Sequence, residues 1–413
     1  MNRQNRRDFL KAAGVGGALA MAGCLADDGE TEDPTDRTIN LGILMGVTGG
    51  LQELGPPIRD AAQLLPEQFD EADTSLEVSS QFEDTETSAT TGVSGAEALD
   101  DAGYPMIAGA LASAVSLQVA EDVAIPREIP MVSPASTAPS YSELDGDWTF
   151  RTALSDSFQG ELLARIAAER LEADSVAAIA QDDDYGQSLS AAFVDAFESE
   201  HGGEGTDPVI FAQGETSYTS QLEDALADDP DVLLVVAFPE DGVRLFSDFY
   251  SDFDPDSVDV LVSDGLQDSG LPGEVGYDMS DVTGTAPIGS GPGVDFFEEL
   301  YEDTYDSDPS GQPFVRQAYD AAATLVLANA AAGENDGEAV RDEIRNVTEE
   351  PGEEITPENV VEGAEMAAEG DDIQYRGVSG EVTYDENGDQ ADIAYEYFGF
   401  TEDGIEEIEV IEF

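Results

Sequence analysis

The sequence predicts an α/β fold built as two doubly wound, parallel-sheet lobes. Three observations predict it. Short apolar runs alternate with amphipathic helical patterns from Ile39 onward, the signature of a parallel sheet covered by helices. The alternation restarts near residue 157, so there are two similar halves. The chain has 413 residues, 41% of them hydrophobic, which suffices for two cores and rules out wholesale disorder.

Taken in order, residues 39–46 read as a strand and 51–72 as a helix. Residues 76–82 alternate like a strand and 88–102 recur like a helix. Strands follow at 105–111 and 130–133, with a helix at 116–124 between them. In the second half, Phe158, Leu162, Leu163, Ile166 and Leu171 form an apolar helical face, with Asp156 or Ser157 placed to cap it. A strand is predicted at 175–180. Leu189, Phe193 and Phe197 recur every four residues as a helix. Strands at 208–212, 232–238 and 258–263 enclose helices at 218–226 and 242–250. A helix at 316–332 follows, and 380–400 reads as a hairpin around Asn387-Gly388. In open parallel sheets ligands bind beyond the carboxyl ends of the strands. The segments to watch are therefore 109–116, 133–137, 182–186, 238–240 and 263–265.

The charge is extreme, with 15 basic residues against 92 acidic ones and a formal net of −77. Nucleic-acid binding needs clustered Lys and Arg and is excluded. Self-repulsion of this size is screened in molar salt, where the Debye length falls to roughly 3 Å, so a surface adapted to brine is expected. The same excess makes any single acid a solvated surface residue by default. Lys11 is the only lysine and His201 the only histidine, which removes most enzyme classes. There is no P-loop and no Gly-x-Ser-x-Gly elbow. No Cys/His zinc set can be assembled, and neither a metal nor a cofactor is expected. His201, in His-Gly-Gly, reads as a helix terminus. The acidic turns at 182–184 and 385–389 could attract cations, but the second lacks the calcium-loop pattern and reads as a solvated turn.

The first residues are an address. Arg6-Arg7 precede a weakly apolar, Ala- and Gly-rich run too short to span a bilayer, and the pair resembles a twin-arginine export signal. Cys24, the only cysteine, ends a Leu-Ala-Met-Ala-Gly-Cys run that looks like a lipobox. Residues 1–23 are read as signal and 24–37 as an acidic linker. The exported chain would then be tethered by lipid at Cys24 to the extracellular face of the membrane.

Several segments carry a family resemblance: LGILMGVTGG at 41–50, IAGALAS at 107–113, MVSPAST at 131–137, FRTALSDSFQG at 150–160 and DDYG at 183–186. Their order and spacing resemble the branched-chain amino-acid-binding family, the type I periplasmic solute-binding proteins of ABC importers, in a haloarchaeal lipoprotein form. The resemblance implies two lobes joined by a three-crossing hinge, one from 38–154 and 284–373, the other from 155–283 and 374–413. It implies a monomeric receptor with no enzymatic activity that closes on a small molecule and is recognised by an ABC permease. An amino acid is the implied ligand, with amides, urea and small aromatic acids as alternatives. A sensory module using the same cleft is the rival class. Carried over by position, Ser113, Ala135 and Thr137 would hold the ligand carboxylate. Tyr185 and Phe238 would cover the ligand. Asp264 would pair with its ammonium, one carbon shorter than the usual Glu. Leu54 falls where the family has a tyrosine and implies a different pocket shape. Ser113 is also read as a helix N-cap.

Overall fold

In the computed structural model the described residues are 34–144, 147–349, 351–390, 394–401 and 404–412. Arg6, Arg7, Cys24 and most of the acidic linker lie outside them.

Strands with both faces covered read as nearly unbroken apolar runs. The first sheet is built from β1 (Thr38–Met45), β2 (Glu77–Asp84), β3 (Ile107–Gly109), β4 (Met131–Ser133) and β5 (Thr149–Arg151), in the order β2-β1-β3-β4-β5. All of its pairings are parallel. The second sheet is built from β6 (Ser175–Gln181), β7 (Glu204–Gly205), β8 (Val209–Phe211), β9 (Val232–Val236), β10 (Asp259–Val262) and β11 (Val282–Pro287). Every residue of β9 is buried. A small pair, β12 (Glu353–Ile355) with β13 (Ile373–Tyr375), stands apart. Two further strands, β14 (Ala394–Thr401) and β15 (Gly404–Glu412), close the second sheet antiparallel to β11 and to each other. Its order is β15-β14-β11-β10-β9-β6-β7, with β8 also beside β6. The chain passes between the sheets three times, after β5, after β11 and before β14.

The helix Val315–Ala332 is buried along most of its length. Its many alanines let it pass close to the first sheet and to the helices Gly55–Glu71, Gly337–Thr348 and Val360–Glu369. Helix starts are capped by side chains. Ser88 accepts from the Thr91 N–H, Asp183 from Gly186 and Asp336 from Ala339, each satisfying an orphan donor. The helix Asp156–Glu169 is capped by Ser155, not by Asp156 or Ser157. Ser113 is the first residue of its helix, Ser113–Val119, and its N-cap is Ala112 without a side-chain bond. His201 ends a helical turn against the Phe197 ring, before Gly202 in the left-handed region.

Two boundaries differ from the sequence reading. The second crossing comes after Pro287 rather than at 283/284, because Pro287 still pairs with Tyr395 in the second sheet. The return comes after 390 rather than at 373/374, because 375–390 is fastened to the first half. There the fully buried Asp320 accepts from the Tyr375 hydroxyl at 2.7 Å, from the N–H groups of Val378 and Ser379, and from the Ser379 hydroxyl. The Asn387-Gly388 turn exists, with a bridge between Tyr384 and Gln390, but the long hairpin is β14 with β15. Gly377 sits so close to this clip that a Cβ would lie 2.3 Å from Asp320 Oδ2. Asp320→Ala orphans several buried donors and should lower the unfolding free energy by about 3 kcal/mol. Gly377→Ala should also destabilise. Thermal and denaturant unfolding in molar salt measure both, and wild-type stability in both variants would show that the clip is dispensable.

Candidate functional site

The carboxyl ends of strands from both sheets meet around one small cavity. The first sheet contributes Leu51 and Leu54 after β1, Leu111, Ala112 and Ser113 after β3, and Ala135 and Thr137 after β4. The second contributes Tyr185 after β6, Phe238 after β9, and Asp264 and Gly265 after β10. Ile58 and Phe314 complete the lining. All seven residues named from the sequence, Leu54, Ser113, Ala135, Thr137, Tyr185, Phe238 and Asp264, are thus brought together. Leu111, Ala112 and Gly265 fall within the strand-end segments singled out above, whereas Leu51, Ile58 and Phe314 lie outside them.

The cavity is two-faced. One wall is aliphatic and aromatic: Leu51, Leu54, Ile58, Leu111 and Phe314. Phe238 stacks on Tyr185 with ring centroids 5.7 Å apart and planes 7° from parallel. Its ring also rests on the first half, where a Cβ on Gly50 would lie 3.2 Å from it. The other wall is polar. The Tyr185 hydroxyl accepts from the Gly265 N–H at 3.1 Å and lies 2.7 Å from Ser263 Oγ and 3.2 Å from Asp264 Oδ1. Ser113 Oγ accepts from the Ala138 N–H at 3.2 Å, which ties the helix start to the Thr137 loop.

In so acidic a chain the buried acids carry the information. Among the described residues they are Asp156, Asp241, Asp264, Asp320 and Glu396. Asp241 accepts from the Tyr218 hydroxyl and the Gly214 N–H, and Glu396 from Gln267. Asp320 is satisfied as described. Asp156, fully buried behind Thr137, has no hydrogen-bond partner on either carboxylate oxygen among the described residues, although the Thr137 hydroxyl is near enough to favour its ionised form and offset part of the effect of burial. A buried charge without a partner is costly, and its proton affinity rises instead. Burial first, and then the Asp264 carboxylate, hold Asp156 well above the usual carboxylate range. Burial likewise pushes Asp264 up to about 6. Asp264 lines the cavity and Asp156 lies outside that lining; together they form a buried carboxyl pair short of positive charge.

Sequence reasoning took Asp156 for a helix cap. The available signal was its place just after β5, at a strand tip and a helix start, like the other site residues. Phe314 lies outside the strand tips and holds φ = 63°, a left-handed backbone that bulky residues rarely adopt and that clusters at functional sites. The 182–184 turn serves as a helix cap through Asp183. Among the described residues no group of three His, Cys, Asp or Glu side chains is arranged to hold a metal.

Comparison with known proteins agrees with this geometry. The family profile described as periplasmic binding protein matches residues 38–390, and a profile for the twin-arginine translocation signal matches residues 3–23. The chemotactic signal transduction system substrate-binding protein BasB of Halobacterium salinarum is 25% identical over 67% of this chain, which spans 65% of BasB's length. The leucine binding protein LivK of Thermotoga maritima is 25% identical, with a TM-score of 0.75 over 91% of this chain and 99% of that one. A Rhodopseudomonas palustris solute-binding protein in complex with benzoate shares the fold at 13% identity, with a TM-score of 0.71 over 91% of this chain and 96% of that one. An export signal, two mainly parallel sheets whose strand tips enclose one cavity, and a profile spanning most of the chain lead to one assignment: this chain belongs to the periplasmic binding protein family, with the type I fold and an export signal.

Proposed function

We propose that the protein is the receptor of an ABC importer, binding an α-amino acid with an apolar side chain and closing its two halves on it. The observation that carries this reading is the unpartnered, fully buried Asp156 beside Asp264. Such a pair calls for a cation, and an α-ammonium group supplies one together with several hydrogen-bond donors. The aliphatic wall then suits a side chain such as that of leucine, isoleucine or valine. Ser113, Ala135 and Thr137 are left for the ligand carboxylate. A benzoate-like acid has no positive group to offer the two aspartates, and urea and simple amides leave the apolar wall unfilled. The Cys24 lipobox supports a lipid anchor that holds the receptor at the extracellular face of the membrane. The likeness to BasB favours a second reading, in which the loaded receptor is presented to a chemotaxis partner. The cavity chemistry is the same in both.

Thermal-shift screening of a metabolite panel in molar salt tests the ligand class. Ligand at 100 times Kd should add about 2.7 kcal/mol for apolar amino acids and nothing for benzoate. Stabilisation by aromatic acids alone would overturn the amino-acid reading.

Asp156→Asn should weaken amino-acid binding roughly tenfold or more without lowering the stability of the empty protein. Calorimetric titration and melting measure the two effects, and wild-type affinity would remove Asp156 from the site.

The raised pKa values give a signed pH dependence. A carboxyl whose folded value lies above its unfolded value stabilises the fold fully below the unfolded value and loses that contribution as pH rises through the folded one. For Asp264 this window runs from the ordinary 3.8 to about 6, and Asp156 acts in the same sense. The empty protein should therefore lose stability as pH rises across this window. The increment given by an amino acid should grow, because its ammonium pairs with the ionised carboxylates. Melting curves from pH 4 to 8 with and without leucine measure this, and a pH-independent increment would contradict it.

A further inference from the structure

Arg151 is fully buried and lies beneath the loop that carries Thr137. Its Nε donates to Asp389 Oδ1 at 2.6 Å, its NH1 to the carbonyls of Ser136 and Ala138 at 3.0 Å each, and its NH2 to Ser142 Oγ at 2.8 Å. Ser142 Oγ donates in turn to Asp389 Oδ2 at 2.6 Å, and the Arg151 N–H donates to the Gly388 carbonyl at 2.9 Å. The guanidinium also stands over the Tyr141 ring. This fork is rigid and permanently charged.

A trans peptide unit is planar, with its carbonyl and its N–H pointing in opposite directions. The Ser136 carbonyl points at Arg151, so the Thr137 N–H of the same peptide points away from the guanidinium. The neighbouring N–H groups are already taken. Those of Ala135 and Ser136 donate to Ser133 Oγ, and that of Ala138 donates to Ser113 Oγ. Among the described residues the Thr137 N–H donates to no acceptor, although Thr137 is buried and lines the cavity. A cation bonded to a peptide's carbonyl polarises the N–H at its other end, since linked hydrogen bonds strengthen one another.

We infer that Arg151 is a positioning residue for the ligand carboxylate: it fixes and polarises the Ser136–Thr137 peptide so that the Thr137 N–H serves as the anion donor. Asp389, in the turn that precedes the return crossing, holds the fork in place. The cationic contribution to carboxylate binding thus arrives through a peptide group, and no arginine or lysine needs to enter the cavity. The inference rests on the amino-acid reading above and assigns the source of its anion recognition.

The test compares L-leucine with isoamylamine, the same molecule without the carboxylate. The ¹⁵N-labelled protein and its Arg151→Gln, Arg151→Lys and Asp389→Asn variants are titrated in molar salt, with melting curves as the folding control. Leucine, but not isoamylamine, should move the Thr137 amide proton downfield. Arg151→Gln should lower leucine affinity at least tenfold and isoamylamine affinity less than twofold. Arg151→Lys, which keeps the charge and loses the fork, should restore part of the leucine loss. Equal losses for both ligands would reduce Arg151 to a structural role and overturn the inference, as would unchanged leucine affinity in a folded Arg151→Gln protein. If that variant does not fold, Asp389→Asn decides by the same leucine-to-isoamylamine contrast. If neither ligand binds the wild type, the amino-acid reading fails by itself. The ligand-free Thr137 amide proton then decides: a shift between the wild type and Arg151→Gln sustains the polarised peptide, and an identical resonance overturns it.

Discussion

A carboxylate taken out of water must find a proton, a donor or a cation. This constraint organises the middle of the molecule. The fold places Asp156 and Asp264 where strand tips from two sheets converge, and both are fully buried there. Tyr185 supplies one bond to Asp264, and nothing equivalent reaches Asp156 among the described residues. Elsewhere in the interior the same problem is solved locally: Asp320 is wrapped by donors and Asp241 is bonded by Tyr218 and Gly214. The contrast separates acids that hold the fold together from acids left with unspent capacity.

The scarce cations tell the complementary story. Arg151 is the one basic residue buried outright among the described residues, and it serves a loop and a turn at once through Thr137's neighbours and Asp389. A lysine there could not span two carbonyls and a carboxylate in a single plane. Its position links the first sheet's cavity-lining loop to the segment from which the chain returns to the second sheet. The cavity wall and the return crossing therefore share one anchor.

Much of this was legible in the sequence. Strand-then-helix alternation fixes which residues stand at strand tips, so Ser113, Thr137, Tyr185 and Asp264 could be grouped before their contacts were known. Three kinds of feature were not legible. Asp156 was hidden by the acidic background, because its meaning comes from burial rather than from residue type. Phe314 reaches the cavity from a loop, through a backbone conformation that no periodicity announces. The late boundaries at Pro287 and Gln390 depend on long-range partners, Tyr395 for one and Asp320 and Arg151 for the other.

The Phe238 ring, lying against the bare backbone at Gly50, has a consequence for how long a guest stays. A side chain at position 50 would prop the ring away from the opposite half. With none there, Phe238 meets a bare peptide, a contact that hides little hydrocarbon and takes little energy to break. This contact therefore adds little to how long a guest stays, and what the solute itself grips on both sides counts for more.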